Sequence, residues 1–191
     1  MFMNFTGKYP ILEELWNDYK DYHEHLELPA KHVFIKEGHI TDYYYYIESG
    51  AVRAYFLNKD GVDKSVQFFF EGHGLSSFES FMKGMPSEFN VETLEPTTLT
   101  RMPKEKIIAM LNALGSSADS LAMIIDIFSE RQIHYMHEFA SFLKDSPQQR
   151  YENLLLNRPR LLQRVPQHYI ASYLGVSAVH LSRIKAKVAK K

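Results

Sequence analysis

Hydrophobic positions near the end of the chain follow the spacing of two short helices that cross steeply. Between Val165 and Val188, apolar residues have the spacing needed to pack between two crossing helices as a buried wedge. One small residue lies where the two helices must come close to each other. Gly175 lies between the two predicted helices, where a tight turn needs a positive φ. The wedge consists of Ile170, Ala171, Leu174, Val176, Leu181 and Ile184. This stretch predicts a helix-turn-helix.

The pattern upstream predicts a helix from Pro10 to about His23, followed by many short strands between about His32 and Arg101. Short strands separated by frequent turn residues form a sandwich or barrel. The aromatic run from Tyr43 to Ile47 alternates across a strand, which favours core packing over a surface that stacks bases. A further helix is predicted from Pro103 to about Leu114.

A long helix is predicted from Asp119 to about Lys144, and Ser146 then caps another helix that continues to Asn157. A short helical stretch, Leu161 to Arg164, leads into the helix-turn-helix. We therefore expect an α+β fold with an N-terminal jelly-roll-like β-roll, a long central dimerisation helix and a C-terminal all-α helix-turn-helix domain. The predicted limits are 1–116 for the β-roll with its first helix, 117–144 for the long helix and 145–191 for the DNA-binding domain.

The long helix carries apolar residues along one side. It is also longer than one small domain usually needs. Either this stripe is a seam between two subunits, or the helix is a connector buried against its own chain. We favour the seam, because a palindromic DNA site demands two-fold symmetry. The predicted seam consists of Leu121, Ile125, Phe128, Tyr135, Phe139 and Phe142.

Charge is divided unevenly along the 191 residues, although the net charge is only -1. Residues 1–143 carry 12 basic and 21 acidic side chains, a net of -9, whereas residues 144–191 carry 10 and 2, a net of +8. An acidic body with a basic end indicates a separate module for nucleic acid. The absence of cysteine excludes disulfides and thiolate metal sites, and no segment has the length or pattern of a membrane span or signal peptide, so we expect a cytoplasmic protein.

The second predicted helix of the pair offers short side chains around one long donor, beginning after Ser177 as its cap. Arginine can hold guanine bidentately in a major groove, and small apolar side chains can touch thymine methyl groups. The outer face consists of Ala178, Val179, Ser182 and Arg183, with Lys185 and Lys187 available to phosphates. This face predicts binding of double-stranded DNA.

The order of these parts resembles the CRP/FNR family of bacterial transcription regulators, over nearly the whole chain. The segment from Gly38 to Arg53 is similar to the glycine-spaced segment early in the family's β-roll. The turn Gly175-Val176-Ser177, followed by Leu181 to Ile184, is similar to its recognition helix.

The resemblance implies a homodimer that binds a palindromic operator and contacts RNA polymerase. It places Ala178, Val179 and Arg183 on bases, Gln167 and Ser177 near phosphates, and His180 towards the groove. Alanine and valine stand where members responsive to cyclic AMP have charged residues, so the operator is expected to differ from theirs.

Relatives that bind cyclic nucleotides use a glycine and glutamate for the ribose, and an arginine with serine or threonine for the phosphate. The corresponding positions here are Ser76-Ser77, followed by Phe78, and Ser87-Glu88. A buried phosphate beside a carboxylate and without a guanidinium is unfavourable by several kcal/mol. We therefore expect that this pocket of the β-roll holds either an unidentified effector or none, that it does not bind cyclic AMP, and that the protein has no cofactor.

Two other functions compete with this interpretation. A cupin-type metalloenzyme would need clustered ligands, whereas His32, His39 and His73 form no His-X-His pair and His134 with His137 lacks a partner carboxylate. We accordingly expect no metal site, no catalytic residue and no enzyme activity. The other alternative is a small-molecule sensor or protein-interaction module with no specific DNA target.

Overall fold

The computed structural model describes residues 8–190, which divide into two compact units. The first unit contains the chain up to Arg53 together with Phe69–Arg131. The second contains Ala54–Phe68 together with the chain from Gln132 onward.

The first unit begins with helix α1, Pro10–Asp18, and a 3₁₀ turn at Lys20–Tyr22. The helix predicted to continue to about His23 is therefore shorter than expected. Strand β1, Glu24–Leu28, follows and pairs antiparallel with a strand about seventy residues later in the chain. This strand was not predicted, because its residues alternate only weakly between the two faces and its partner is distant in sequence.

Within residues 8–190, eight strands form two four-stranded sheets, which agrees with the many short strands that were predicted. One sheet has the order β1-β8-β3-β6 and the other β2-β7-β4-β5. Tyr44 faces Met102 and Ile47 faces Leu99 in the antiparallel pairing of β3 with β8. After β1 the strands are β2 Val33–Ile35, β3 Tyr43–Ser49, β4 Ala51–Leu57, β5 Asp63–Phe70, β6 Gly74–Leu75, β7 Asn90–Thr93 and β8 Thr97–Pro103.

Two tyrosines of β3 are buried and two, Tyr43 and Tyr46, are half-buried, which agrees with the prediction that they pack against the protein rather than stack bases. Tyr44 is fully buried and Tyr45 nearly so. Gly74 makes room for the Tyr44 hydroxyl, since a β carbon at Gly74 would lie 1.6 Å from that oxygen. Tyr44 therefore depends on the glycine that opens β6.

Two further helices lie in the first unit, and a third begins there and continues into the second unit. Helix α2, Phe78–Lys83, was not predicted; it is one short segment that ends at Gly84 with φ +66°. Helix α3, Lys104–Ala113, and the long helix α4, Ala118–Lys144, agree with the predicted ranges. One cluster joins these helices to α1 and β3, and its buried members are Leu12, Tyr44, Phe81, Met102, Ile107, Met110 and Met123.

The second unit contains the outer part of the β4–β5 hairpin, the end of α4 and four short helices. These helices are α5 Pro147–Asn157, α6 Pro159–Arg164, α7 Gln167–Tyr173 and α8 Ala178–Val188. The hairpin packs on α7: the Ser65 amide donates to Ser172 Oγ at 3.0 Å, and that hydroxyl donates to the Asp63 carbonyl at 3.2 Å. The predicted α+β fold is confirmed, with a β-roll, a long helix and C-terminal helices.

Candidate nucleic-acid interface

The last two helices form the pair that the hydrophobic spacing predicted. Their mutual core is buried, and Val176 alone of the predicted wedge is only half-buried. The buried wedge residues are Ile170, Ala171, Leu174, Leu181 and Ile184. The first turn of α8 is thus held by apolar contacts beneath it, which leaves its other side to solvent.

The turn between the helices has the expected backbone. Gly175 has φ +69°, and the amides of Gly175 and Val176 donate to carbonyls of α7 at 3.0 and 2.9 Å. Ser177 is the N-cap of α8, because its hydroxyl accepts from the His180 amide at 3.2 Å. This bond occupies the hydroxyl that the family resemblance placed near phosphate.

The outer side of α8 exposes most of the residues predicted to contact DNA. Within residues 8–190, the Arg183 guanidinium has no hydrogen bond or ion pair with the chain. Lys185 is half-buried. The exposed predicted residues are Gln167 on α7, Ser177 at the cap, and Ala178, Val179, His180, Ser182, Arg183 and Lys187 on α8. The outer side of α8 therefore presents the Arg183 guanidinium among small side chains, and the sequence of α8 contains no acidic residue.

Helix α5 supports this pair and begins at a cap that was predicted at Ser146. The Gln149 amide donates to Ser146 Oγ at 3.3 Å, and the Ser146 amide donates to Gln149 Oε1 at 2.8 Å. The sequence S-x-x-Q is typical of this reciprocal capping box. The role of Gln149 in it was not predicted. Tyr151 and Leu154 of α5 are buried beneath the pair.

Arg150 is a residue whose role was not predicted. Its guanidinium donates to the carbonyls of Asp145 at 2.7 Å and Phe142 at 3.2 Å, at the end of α4, and to that of Leu174 at 2.8 Å. It also lies over the Phe142 ring, 4.4 Å from the centroid. Arg150 therefore ties the end of the long helix to the turn before α8, although the sequence shows it only as one more positive charge.

The long helix α4 exposes an apolar stripe. The predicted seam residues recur at alternating steps of four and three, the spacing of a two-stranded coiled coil, with Gln132 in the one polar place. Ile125 is 64 % exposed and Phe139 61 %. Leu121, Phe128 and Phe142 are also exposed, whereas Tyr135 is half-buried. So many exposed apolar residues in one row mark an interaction surface.

The cassette aligned with the nucleotide-binding segment has its hydroxyls turned to the protein's own backbone. Ser76 Oγ donates to the Tyr43 carbonyl and Ser87 Oγ to the Phe89 carbonyl, both at 2.8 Å. Ser76, Ser77 and Ser87 are buried. The two remaining residues of the predicted effector pocket, Phe78 and Glu88, are exposed.

A buried arginine does lie in the β-roll, outside that cassette. Arg53 on β4 is 2 % exposed, and its Nε donates to the Glu92 carboxylate at 2.7 Å. A guanidinium neutralised in this way is a poor partner for a second anion. The signal in the sequence was an arginine inside an otherwise apolar strand.

The histidines weighed as metal ligands do not assemble into a site. Within residues 8–190, no group of three or more His, Asp or Glu side chains is placed to hold a metal ion. His134 lies 3.4 Å from the Gln67 amide nitrogen, and His137 is exposed. Over the same residues, no helix combines the length and apolar character needed to cross a bilayer.

Comparison with protein families identifies the β-roll. Residues 25–113 match the model of the cyclic nucleotide-binding domain. The comparison with curated proteins found no match to this sequence.

Solved structures of CRP/FNR-family regulators resemble nearly the whole chain. FixK2 from Bradyrhizobium japonicum is 16% identical with a TM-score of 0.74, over 88% of this chain and 85% of that one. The c-di-GMP-responsive global regulator CLP from Xanthomonas campestris is 16% identical with a TM-score of 0.72, over 93% and 92%. The catabolite activator protein of Thermus thermophilus is 20% identical with a TM-score of 0.54, over 97% and 86%. At these identities the likeness establishes the fold, and it confirms the fold expected from the resemblance.

Proposed function

We propose that this chain, with a cyclic nucleotide-binding domain at residues 25–113 and the fold of the CRP/FNR regulators, is a transcription regulator that binds a specific DNA operator as a homodimer. The observation that carries the proposal is the exposed Arg183, which no acidic group of the described chain engages, on a helix held from below by a buried wedge. In a major groove this guanidinium holds guanine O6 and N7, and Ala178 and Val179 contact thymine methyl groups. Lys185 and Lys187 neutralise phosphates nearby.

The exposed stripe on α4 supports the homodimer. A second copy of α4 packed along Leu121 to Phe142 removes these apolar side chains from water, and it gives the complex the two-fold symmetry of a palindromic site. Two recognition helices must then lie about 34 Å apart on one side of the duplex. By the resemblance, such a dimer acts in the cytoplasm and contacts RNA polymerase.

Cyclic AMP is not the effector in this proposal. The cassette hydroxyls bind their own backbone, Arg53 is paired with Glu92, and Glu88 brings a negative charge to the cassette. We assign the protein no enzymatic step.

Selection of bound sequences from a random DNA pool tests the function directly. We expect an enriched palindrome whose half-sites are separated by about one helical turn or a multiple of it. Arg183→Ala should lower affinity for the selected site at least about tenfold and leave weak binding that depends on salt. Arg183→Lys is the matched control: it keeps the charge but not the planar fork, so it should lose specificity and retain the slope of affinity against salt.

Two results would contradict the proposal. If no sequence is enriched while the chain is folded, the C-terminal helices do not read DNA, and the alternative of a sensor or protein-interaction module gains support. If a palindrome is enriched but Arg183→Ala binds it with unchanged affinity, the assignment of that residue is wrong.

A further inference from the structure

A cleft lies in the second unit, next to the helices that position α8. Its volume is about 520 Å³, within the range of pockets that hold small molecules. The β4–β5 hairpin forms one wall, and the end of α4, α5 and α7 form the others. Residues that line it include Phe56, Lys64, Phe139, Phe142, Arg158 and Tyr173. None of the residues that line the cleft belongs to the aligned cyclic nucleotide cassette, Ser76–Glu88.

The walls combine aromatic rings with an excess of positive charge. Phe56, Phe139 and Phe142 supply apolar surface. Three cations, Lys64, Arg150 and Arg158, stand against one carboxylate, that of Glu138.

The single carboxylate is already engaged. The Tyr173 hydroxyl donates to Glu138, and burial is the main cause that raises the pKa of Tyr173, opposed by Arg158 and reinforced by Glu138. Tyr173 therefore stays protonated and remains a donor. Within residues 8–190, Glu138 accepts from the neutral Tyr173 hydroxyl and forms no ion pair with the cations of the cleft.

The three cations differ in how far the protein satisfies them. Arg150 donates to three carbonyls of the helix ends. Among the described residues, the two acceptors of Arg158 are both neutral and both at 3.3 Å, the Tyr173 hydroxyl and the Phe68 carbonyl. The half-buried Lys64 ammonium has no hydrogen bond or ion pair with any residue between 8 and 190. A carboxylate is a stronger acceptor than either neutral group, and it would neutralise Lys64.

We propose that this cleft binds a small organic carboxylate with an aromatic or extended apolar body. Lys64 and Arg158 hold the carboxylate, and the Phe56 ring, which does not belong to the stripe on α4, covers the body. Uncharged ligands are disfavoured because they would leave the cationic groups partly desolvated without an anion. The site goes beyond the proposed function and does not depend on it, since binding can be measured without DNA.

Calorimetric titration of the full chain with 2-naphthoate and with 2-naphthylmethanol provides the test. The two probes have similar shape and differ in charge. We expect 2-naphthoate to bind one site per chain with a dissociation constant of about 1 mM or below, and the alcohol to bind at least about tenfold more weakly. Lys64→Gln should weaken 2-naphthoate by about tenfold or more. Lys59→Gln is the matched control, because Lys59 is exposed at the turn of the same hairpin and does not line the cleft.

Amide chemical shifts locate the bound probe and distinguish the cleft from Leu121 and Ile125, the part of the α4 stripe that does not line it. Shifts at Ser65 and Ser172, which line the cleft, support the proposal. Shifts confined to Leu121 and Ile125 would overturn it, because the probe would then occupy the exposed stripe. Equal affinity for the two probes, equal loss in Lys64→Gln and Lys59→Gln, or no binding would also overturn it. Each result stands whether or not the protein binds DNA.

Discussion

Phe142 packs against Gly175 so closely that a β carbon on the glycine would lie 2.7 Å from Phe142 Cζ. The contact joins the last turn of the long helix to the turn before α8. Gly175 is thus required for two reasons, its positive φ of 69° and the room that it leaves for the ring. The sequence predicted only the first reason.

Replacement of Gly175 by alanine should therefore destabilise the C-terminal helices. We expect the free energy of unfolding to fall by about 1–3 kcal/mol from backbone strain, with a further loss because the Phe142 ring must move. Chemical denaturation at a fixed protein concentration measures the change. Gly61→Ala is the control, because Gly61 has φ +72° but nothing lies within 4 Å of its added β carbon. If the two variants lose the same stability, the contact with Phe142 contributes nothing.

Cyclic AMP should not bind in the micromolar range, although residues 25–113 match the cyclic nucleotide-binding domain. The phosphate would enter a β-roll whose arginine, Arg53, already bonds Glu92 at 2.7 Å. Calorimetric titration with cyclic AMP checks this expectation. Saturable micromolar binding would show that the Arg53–Glu92 pair opens or that other groups hold the phosphate.

A charge on the apolar stripe should separate the subunits. Ile125 is 64 % exposed in the single chain, so Ile125→Glu should leave the fold intact and place two like charges in the seam of a dimer. Sedimentation should show a shift from dimer to monomer, with a loss of operator affinity. Leu156→Glu, on α5, changes a residue that is 77 % exposed and should leave the dimer unchanged. A monomeric native protein would contradict the seam.

Stability should decrease as the pH falls, in part through His23. The His23 ring lies 4.3 Å from the Trp16 ring, and partial burial lowers its pKa below 6.5, with a smaller contribution from His25 against the opposite effect of Glu48. The unfolded chain therefore takes up this proton at a higher pH than the folded protein does. Stability associated with His23 is present above about pH 6.5 and is lost as the pH falls through the lowered pKa.

Denaturation at about pH 7.5 and about pH 5.5 measures this dependence. We expect His23→Asn to reduce the difference between the two pH values. His32→Asn, which changes an exposed ring, serves as the control. An undiminished difference in His23→Asn would assign the pH dependence to other groups.

Local signals in the sequence located most of the candidate interface. Ser146 and Ser177 cap their helices, Gly175 takes its positive φ, and Arg183 is exposed, as predicted. Each of these depends on residues within a few positions along the chain. The contacts with DNA and the limits of the three domains remain predictions.

The sequence by itself determined the order of the β-rich part, the long helix and the C-terminal helices, together with the wedge beneath α8 and the residues on its outer side. Helix periodicity and capping act over one or two turns. Only the tertiary structure decided the pairing of β1 with β8, the ion pair of Arg53 with Glu92 and the attachment of Arg150 to Leu174. These partners are 24 or more residues apart in the chain. Their proximity follows from how whole strands and helices pack, which no local pattern encodes.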